Sequence, residues 1–183
     1  MFQILNFMKK IIAFAGSNSK QSINKQLVEY TCSLIEEVST EVLNLNDYEM
    51  PLYGIDRENE EGIPEAAKDL LNKISTSDGI ILSLAEHNGA YATAFKNAFD
   101  WMSRIEQKTF FNKPMLLMAA SPGGRGGASV LAIAEQRFPF HNAKIVETFS
   151  LPFFKDNFSE GALVNKALND DLKKAIAALE KEL

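Results

Sequence analysis

The sequence predicts an α/β domain in which helices cover both faces of a doubly wound, five-stranded parallel sheet. Two observations predict it. Five short apolar runs alternate with longer stretches whose apolar residues recur every three or four positions. Strict strand–helix alternation of this kind builds a parallel sheet with helices on both sides. Three of the runs are also nearly continuous in apolar residues, as strands covered on both faces require.

The elements follow in order. Residues 1–8 read as an extension before the first strand, with Met8 an alternative start. Met1–Phe7 is apolar and precedes Lys9 and Lys10, the reverse of a secretory signal, so a cytoplasmic protein is expected. The strand runs are Lys10–Ala15, Glu41–Leu45, Gly79–Leu84, Pro114–Ala120 and Ala143–Thr148. Helical faces run from Ile23 to Val38, from Pro64 to Ile74, from Phe95 to Ile105, from Val130 to Phe138 and from Leu168 to Leu183. Pro64 suits a first helical turn. Asp47–Gly62 reads as a long acidic surface loop, and loops of that length are often functional. With 183 residues the chain is expected to form one domain, 1–183.

Composition narrows the function classes. The net charge is −5, which argues against nucleic acid, because phosphate-backbone binding needs a basic surface. One cysteine, Cys32, forms no internal disulfide. With His87 and His141 as the only histidines, a structural zinc site is not expected. No apolar run approaches the length of a membrane span.

In open α/β sheets ligands sit beyond the carboxyl ends of the strands, so the loops after strands one, three and four are where chemistry should show. The first is Gly16-Ser17-Asn18-Ser19-Lys20-Gln21-Ser22-Ile23-Asn24. Its hydroxyls, amides and following helix N-terminus suit a phosphate; the alternative is an ordinary turn with Ser22 as N-cap. GxxxxGK[ST] is absent and the glycine spacing does not fit GxGxxG, so neither a P-loop nor a dinucleotide fold is expected. The second loop, Ala85-Glu86-His87-Asn88-Gly89-Ala90-Tyr91, could line a planar ligand or could be a polar turn with an exposed His87. The third, Ser121-Pro122-Gly123-Gly124-Arg125-Gly126-Gly127, is glycine-dense, which lets backbone N–H groups approach a ligand closely. Neither GxSxG nor HExxH is present, and Cys32 falls within a helical face.

Together these loops resemble the NADPH-dependent FMN reductase family, over roughly Lys9 to Thr148. Gly16, Ser17, Ser22 and Asn24 match that family's first-loop pattern, although Ser19 stands where Arg is usual. Glu86 and Asn88 match its second loop, with Ala85 in place of Pro and His87 in place of Tyr. Lys96-Asn97-Ala98-Phe99-Asp100-Trp101 matches the helix that follows. Ser121, Gly126 and Gly127 fit the third loop.

The resemblance implies a flavodoxin-like sheet of order 2-1-3-4-5 and a noncovalent FMN. NADPH or NADH would reduce the FMN, which would pass electrons to a quinone, azo dye, metal oxyanion or free flavin. It implies that Ser17, Ser19, Lys20, Gln21, Ser22 and Asn24 hold the phosphate. It further implies that Glu86, His87, Asn88 and Gly89 flank the ring, and that Ser121, Gly123, Gly124 and Gly127 face its pyrimidine edge. Lys20 or Arg125 would stand in for the missing Arg. No side chain is expected to act as acid or base, and no metal is expected. A homodimer or homotetramer is implied, with Trp101 near the contact. The competing reading is a flavodoxin-type electron carrier without enzymatic activity.

Overall fold

The computed structural model describes residues 8–183; the expected extension over Met1–Phe7 lies outside the described residues. Five strands form one parallel sheet: β1 (Lys10–Gly16), β2 (Ser39–Leu43), β3 (Gly79–Leu84), β4 (Pro114–Ala120) and β5 (Lys144–Leu151). Their spatial order is β2-β1-β3-β4-β5, the flavodoxin-like order. The central strands β3 and β4 are buried at every position, which is why their sequence shows no alternation.

Helices α1 (Ile23–Ser33), α2 (Ile55–Glu61), α3 (Glu65–Ser75), α4 (Thr93–Ile105), α5 (Ala128–Arg137) and α6 (Lys166–Lys181) complete the layers. Leu27, Val28 and Cys32 of α1 pack with Leu172, Ile176 and Leu179 of α6 against Ile11, Ile81 and Leu116 on one face. On the other face Leu70 and Ile74 of α3, Phe95 and Phe99 of α4 and Val130 of α5 cover Ile12, Leu82 and Leu117. No helix among the described residues is long and apolar enough to cross a membrane.

Several boundaries differ from expectation. The first helix stops at Ser33, because Leu34 and Ile35 turn back with N–H bonds to Thr31 and Cys32. Strand β2 ends two residues early, where the Asn44 side chain accepts from Asn46 N–H and starts a 3-10 turn, Leu45–Tyr48. The expected loop Asp47–Gly62 contains α2, whose first turn carries Asp56 and Glu58, at the end where acidic groups suit the helix dipole. Strand β5 runs on to Leu151 after an irregularity that changes its pairing between Met115 and Leu116. Two short hairpins, Glu86–His87 with Ala90–Tyr91 and Phe158–Ser159 with Ala162–Leu163, were not expected.

Candidate active site

The carboxyl ends of β1, β3 and β4 are neighbours, so the three chemistry-bearing loops converge. In the first, Ser22 caps α1, its Oγ accepting from Lys25 N–H at 3.2 Å. Upstream, Ser17 Oγ accepts from Ser19 N–H and Ser19 Oγ from Gln21 N–H, both at 3.2 Å. A hydroxyl that accepts still has its own proton to donate, so these three serines can cap the backbone and serve an anion together. The N–H groups of Lys20, Ile23 and Asn24 have no acceptor among the described residues, and they stand at the positive end of α1. Lys20 and Gln21 are exposed beside them.

Asn24 does something else. It is 2% exposed and faces the sheet. Its Oδ1 accepts from Ser83 Oγ and from Ala120 N–H, both at 2.8 Å, and its Nδ2 donates to Ala120 O at 3.3 Å. The expectation that its side chain grips the phosphate is therefore corrected: the amide ties the start of α1 to the ends of β3 and β4.

The second loop is a tight hairpin. Asn88 and Gly89 have φ of 51° and 75°, the pair of positive values that a two-residue hairpin turn demands. His87 is exposed on it. Glu86 was expected beside the ring, but its Oε2 accepts from Val130 N–H at 3.0 Å, so its carboxylate is committed to the N-terminus of α5.

In the third loop the glycines are required by the protein itself. A Cβ on Gly124 would lie 2.6 Å from Phe153 Cζ, and one on Gly127 (φ 80°) would lie 2.6 Å from Ala119 Cβ. One on Gly126 would collide with Ser150 Oγ. Only at Gly123 is the space open, so close approach by a ligand explains one glycine rather than all. Ser121 Oγ donates to Gly123 O at 2.9 Å. The N–H groups of Gly123, Gly124, Arg125 and Gly127 make no hydrogen bond among the described residues, leaving an array of donors at the rim. Arg125 donates to Ser129 Oγ at 3.0 Å.

Trp101 was expected near the contact with a partner subunit. It is instead fully buried. Its Nε1 donates to Pro51 O at 2.8 Å and its ring meets Tyr53 edge-on at 5.0 Å. One turn earlier, Asn97 donates to Pro51 O at 3.0 Å and accepts from Tyr53 N–H at 2.8 Å. Positions i and i+4 share a helix face, so these two residues clamp the segment 50–53 onto α4. Arg104 continues the clamp through Glu58 at 2.8 Å, and this guanidinium holds the Glu58 carboxyl below its ordinary value.

The clamped segment walls a cavity of about 430 Å³, within the usual range for small-molecule sites. Asn18 of the first loop, His87 of the hairpin, and Tyr48, Glu49, Met50 and Leu52 from the segment after β2 line it, over the first turn of α4. Of these, only His87 was anticipated as a site residue. The signal for the others was the length and acidity of Asp47–Gly62 and the matched Asn97. Cys32 lies elsewhere, under α1, and burial pushes its thiol up to about 12, so it is no nucleophile.

Comparison with known proteins decides the affiliation. The family model for NADPH-dependent FMN reductases matches residues 9–156. The chain belongs to the NADPH-dependent FMN reductase family. As a member it is an FMN-dependent NAD(P)H oxidoreductase, and the carrier reading falls. Among curated relatives, a quinone reductase of Escherichia coli is 31% identical over 158 residues, 86% of this chain and 80% of that protein. An NADPH azoreductase of Bacillus sp. is 30% identical over 122 residues, 67% of this chain and 64% of that one. Among solved structures, the flavoenzyme NAD(P)H:(acceptor) oxidoreductase FerB of Paracoccus denitrificans superposes with a TM-score of 0.73. It is 24% identical, with 96% of this chain and 99% of that one covered. An FMN-dependent NADH-azoreductase of Bacillus anthracis, solved with FMN, gives a TM-score of 0.63 at 13% identity, covering 95% and 99%. At such identities the two structures speak to the fold of this FMN reductase.

Proposed function

We propose that this FMN reductase seats its flavin across the three loops and reduces a small quinone- or azo-type acceptor. The observation that carries the placement is the row of N–H groups without acceptors at the start of α1, together with the donor array of Gly123, Gly124, Arg125 and Gly127 at the same edge of the sheet. A phosphate fits the first, being anionic and rich in acceptors. The carbonyl-bearing edge of a flavin fits the second.

Ser17, Ser19 and Ser22 donate hydroxyl protons to the phosphate, and Lys20 and Gln21 close over it. Asn24 acts at one remove, fixing the turn through Ser83 and Ala120. His87, Asn88 and Gly89 border the ring, Glu86 orients their hairpin by holding Val130 N–H, and Ser121 and the glycines order the donor loop. When bound, the cofactor itself carries the redox chemistry. These residues position it and leave acid–base roles unfilled.

The activities of the quinone reductase and azoreductase relatives support a quinone or azo acceptor. The absence of the family's Arg at Ser19 supports use of NADH as well as NADPH. We further propose a cytoplasmic homodimer or homotetramer, formed through the exposed apolar residues Leu52, Ile55 and Ile105, which flank the Arg104–Glu58 pair.

The test is the absorption spectrum and FMN affinity of the purified protein. Parent protein binds FMN and oxidises NAD(P)H with a quinone in a ping-pong pattern. Loss of a charge-assisted bond in Ser22→Ala weakens FMN by about 1.5–3 kcal/mol. Unaltered FMN affinity in Ser22→Ala and Ser19→Ala together would remove the phosphate from this turn. Sedimentation of Ile55→Glu at micromolar concentration tests assembly: a shift toward monomer is expected, and a parent that is already monomeric and fully active ends that part of the proposal.

A further inference from the structure

The cavity beside the hairpin has no Lys or Arg in its lining. Glu49 is its one carboxylate. That side chain is exposed and enters no ion pair among the described residues, so nothing cancels its charge. The surrounding segment deepens the same sign. Asp47 precedes Glu49 and Asp56 follows in the chain, while the arginines of this segment and of α4 are engaged, Arg57 with Glu61 at 3.8 Å and Arg104 with Glu58 at 2.8 Å. Lys96 is held by Asp100 at 2.7 Å. A wall of one sign focuses its field into the cleft.

We propose that this cavity receives the electron acceptor and that Glu49 makes it select uncharged rings over anionic ones. The inference rests on the flavoenzyme reading above, because the cavity is an acceptor site only if flavin lies at the adjoining loops. Asn18 and His87 belong to both the cavity and those loops, so a molecule held here touches the cofactor's surroundings directly. A neutral quinone fits such a wall: Met50 and Leu52 offer apolar contact, and Asn18, Tyr48 and His87 offer hydrogen bonds to carbonyl oxygens.

The experiment compares 1,4-naphthoquinone with 1,2-naphthoquinone-4-sulfonate on the FMN-loaded protein. The measured quantity is the ratio of their kcat/KM values in each variant divided by the ratio in the parent. This cancels the intrinsic difference in reduction potential between the two quinones. Removing one unit charge at contact distance changes an encounter in water by about fivefold. Glu49→Gln is therefore expected to shift the ratio about fivefold toward the sulfonate at an ionic strength of about 10 mM, and less at about 1 M. Glu49→Lys should shift it further, by about 25-fold. Glu60→Gln, in the same segment but outside the cavity lining, should leave it within about twofold of the parent at contact distances it does not reach.

Binding without turnover gives a second readout. Trp101, bonded to Pro51 between Met50 and Leu52, reports quinone binding by fluorescence in the absence of NAD(P)H, and the dissociation constants should follow the same ratios. Flavin-loaded protein that turns over both quinones with ratios and dissociation constants indifferent to Glu49 overturns this proposal and leaves the flavoenzyme reading standing. Protein that takes up no FMN overturns both.

Discussion

Replacing Asn24 with Ala separates a residue that builds the site from one that touches the ligand. The side chain makes three hydrogen bonds, to Ser83 Oγ at 2.8 Å, Ala120 N–H at 2.8 Å and Ala120 O at 3.3 Å. Asn24, Ser83 and Ala120 are all at most 3% exposed, so water cannot replace the lost partner without opening the core. Alanine strands two donors, the Ser83 hydroxyl and the Ala120 N–H. Each stranded buried group costs about 1–3 kcal/mol, which puts the loss at about 2–6 kcal/mol. That is a large part of a typical domain's 5–15 kcal/mol. Urea unfolding of the cofactor-free protein measures it, as a lower midpoint with an unchanged slope. The double variant Asn24→Ala/Ser83→Ala should be less than additive by about 1–2 kcal/mol, because removing Ser83 also removes one stranded donor. A loss below about 1 kcal/mol in cofactor-free Asn24→Ala, with FMN affinity nonetheless abolished, would show that the amide serves the phosphate and refute this reasoning.

The remaining expectations are these. Gly127→Ala, at φ 80° and against Ala119, should destabilise by about 2–4 kcal/mol, while Gly123→Ala, in open space, should stay within about 1 kcal/mol of the parent; thermal unfolding distinguishes them. Gly124→Val should be rescued in stability by adding Phe153→Ala, because the ring at 2.6 Å is what excludes a side chain; failure of the rescue would mean that backbone conformation sets the requirement. Trp101→Phe should cost about 1–2 kcal/mol through the loss of its bond to Pro51, and it should raise backbone hydrogen exchange at 50–53 before elsewhere. Lys10 and Lys73 hold the Glu41 carboxyl below its ordinary 4.5. A depressed folded value gives stability that is present above the unfolded pKa and lost as pH falls through the folded one. Glu41→Gln should therefore flatten the fall in urea midpoint below about pH 4.5, with little slope change at neutral pH.

The sheet was legible because β1, β3 and β4 are apolar on both faces and leave a mark that needs no knowledge of neighbours. The outer strands were less so. Strand β2 is only part-buried and was placed two residues late, since Leu45 continues its apolar pattern while belonging to a turn. The convergence of three loops could be read from strand alternation alone. The direction in which their side chains face could not. Asn24 turns inward to partners 59 and 96 residues away, and Gly124 is a glycine on account of Phe153, just past the end of β5. Trp101 stood beside polar residues in the sequence and was expected near a subunit contact. Its cover is the segment 50–53, which carries no periodic signal because two helical side chains, rather than its own secondary structure, hold it in place.

The bond from Glu86 to Val130 gives the site a direction. Two helices, α1 and α5, begin at the same edge of the sheet behind loops rich in small residues, and both present a positive end. A nucleotide arriving there would have two equivalent addresses for its phosphate, and two opposite ways to lie. On the seating proposed above, filling one address with its own carboxylate leaves a single polarity for the guest: phosphate at α1, ring toward α5. On that seating, orientation of the ligand is written by a residue that does not have to touch it.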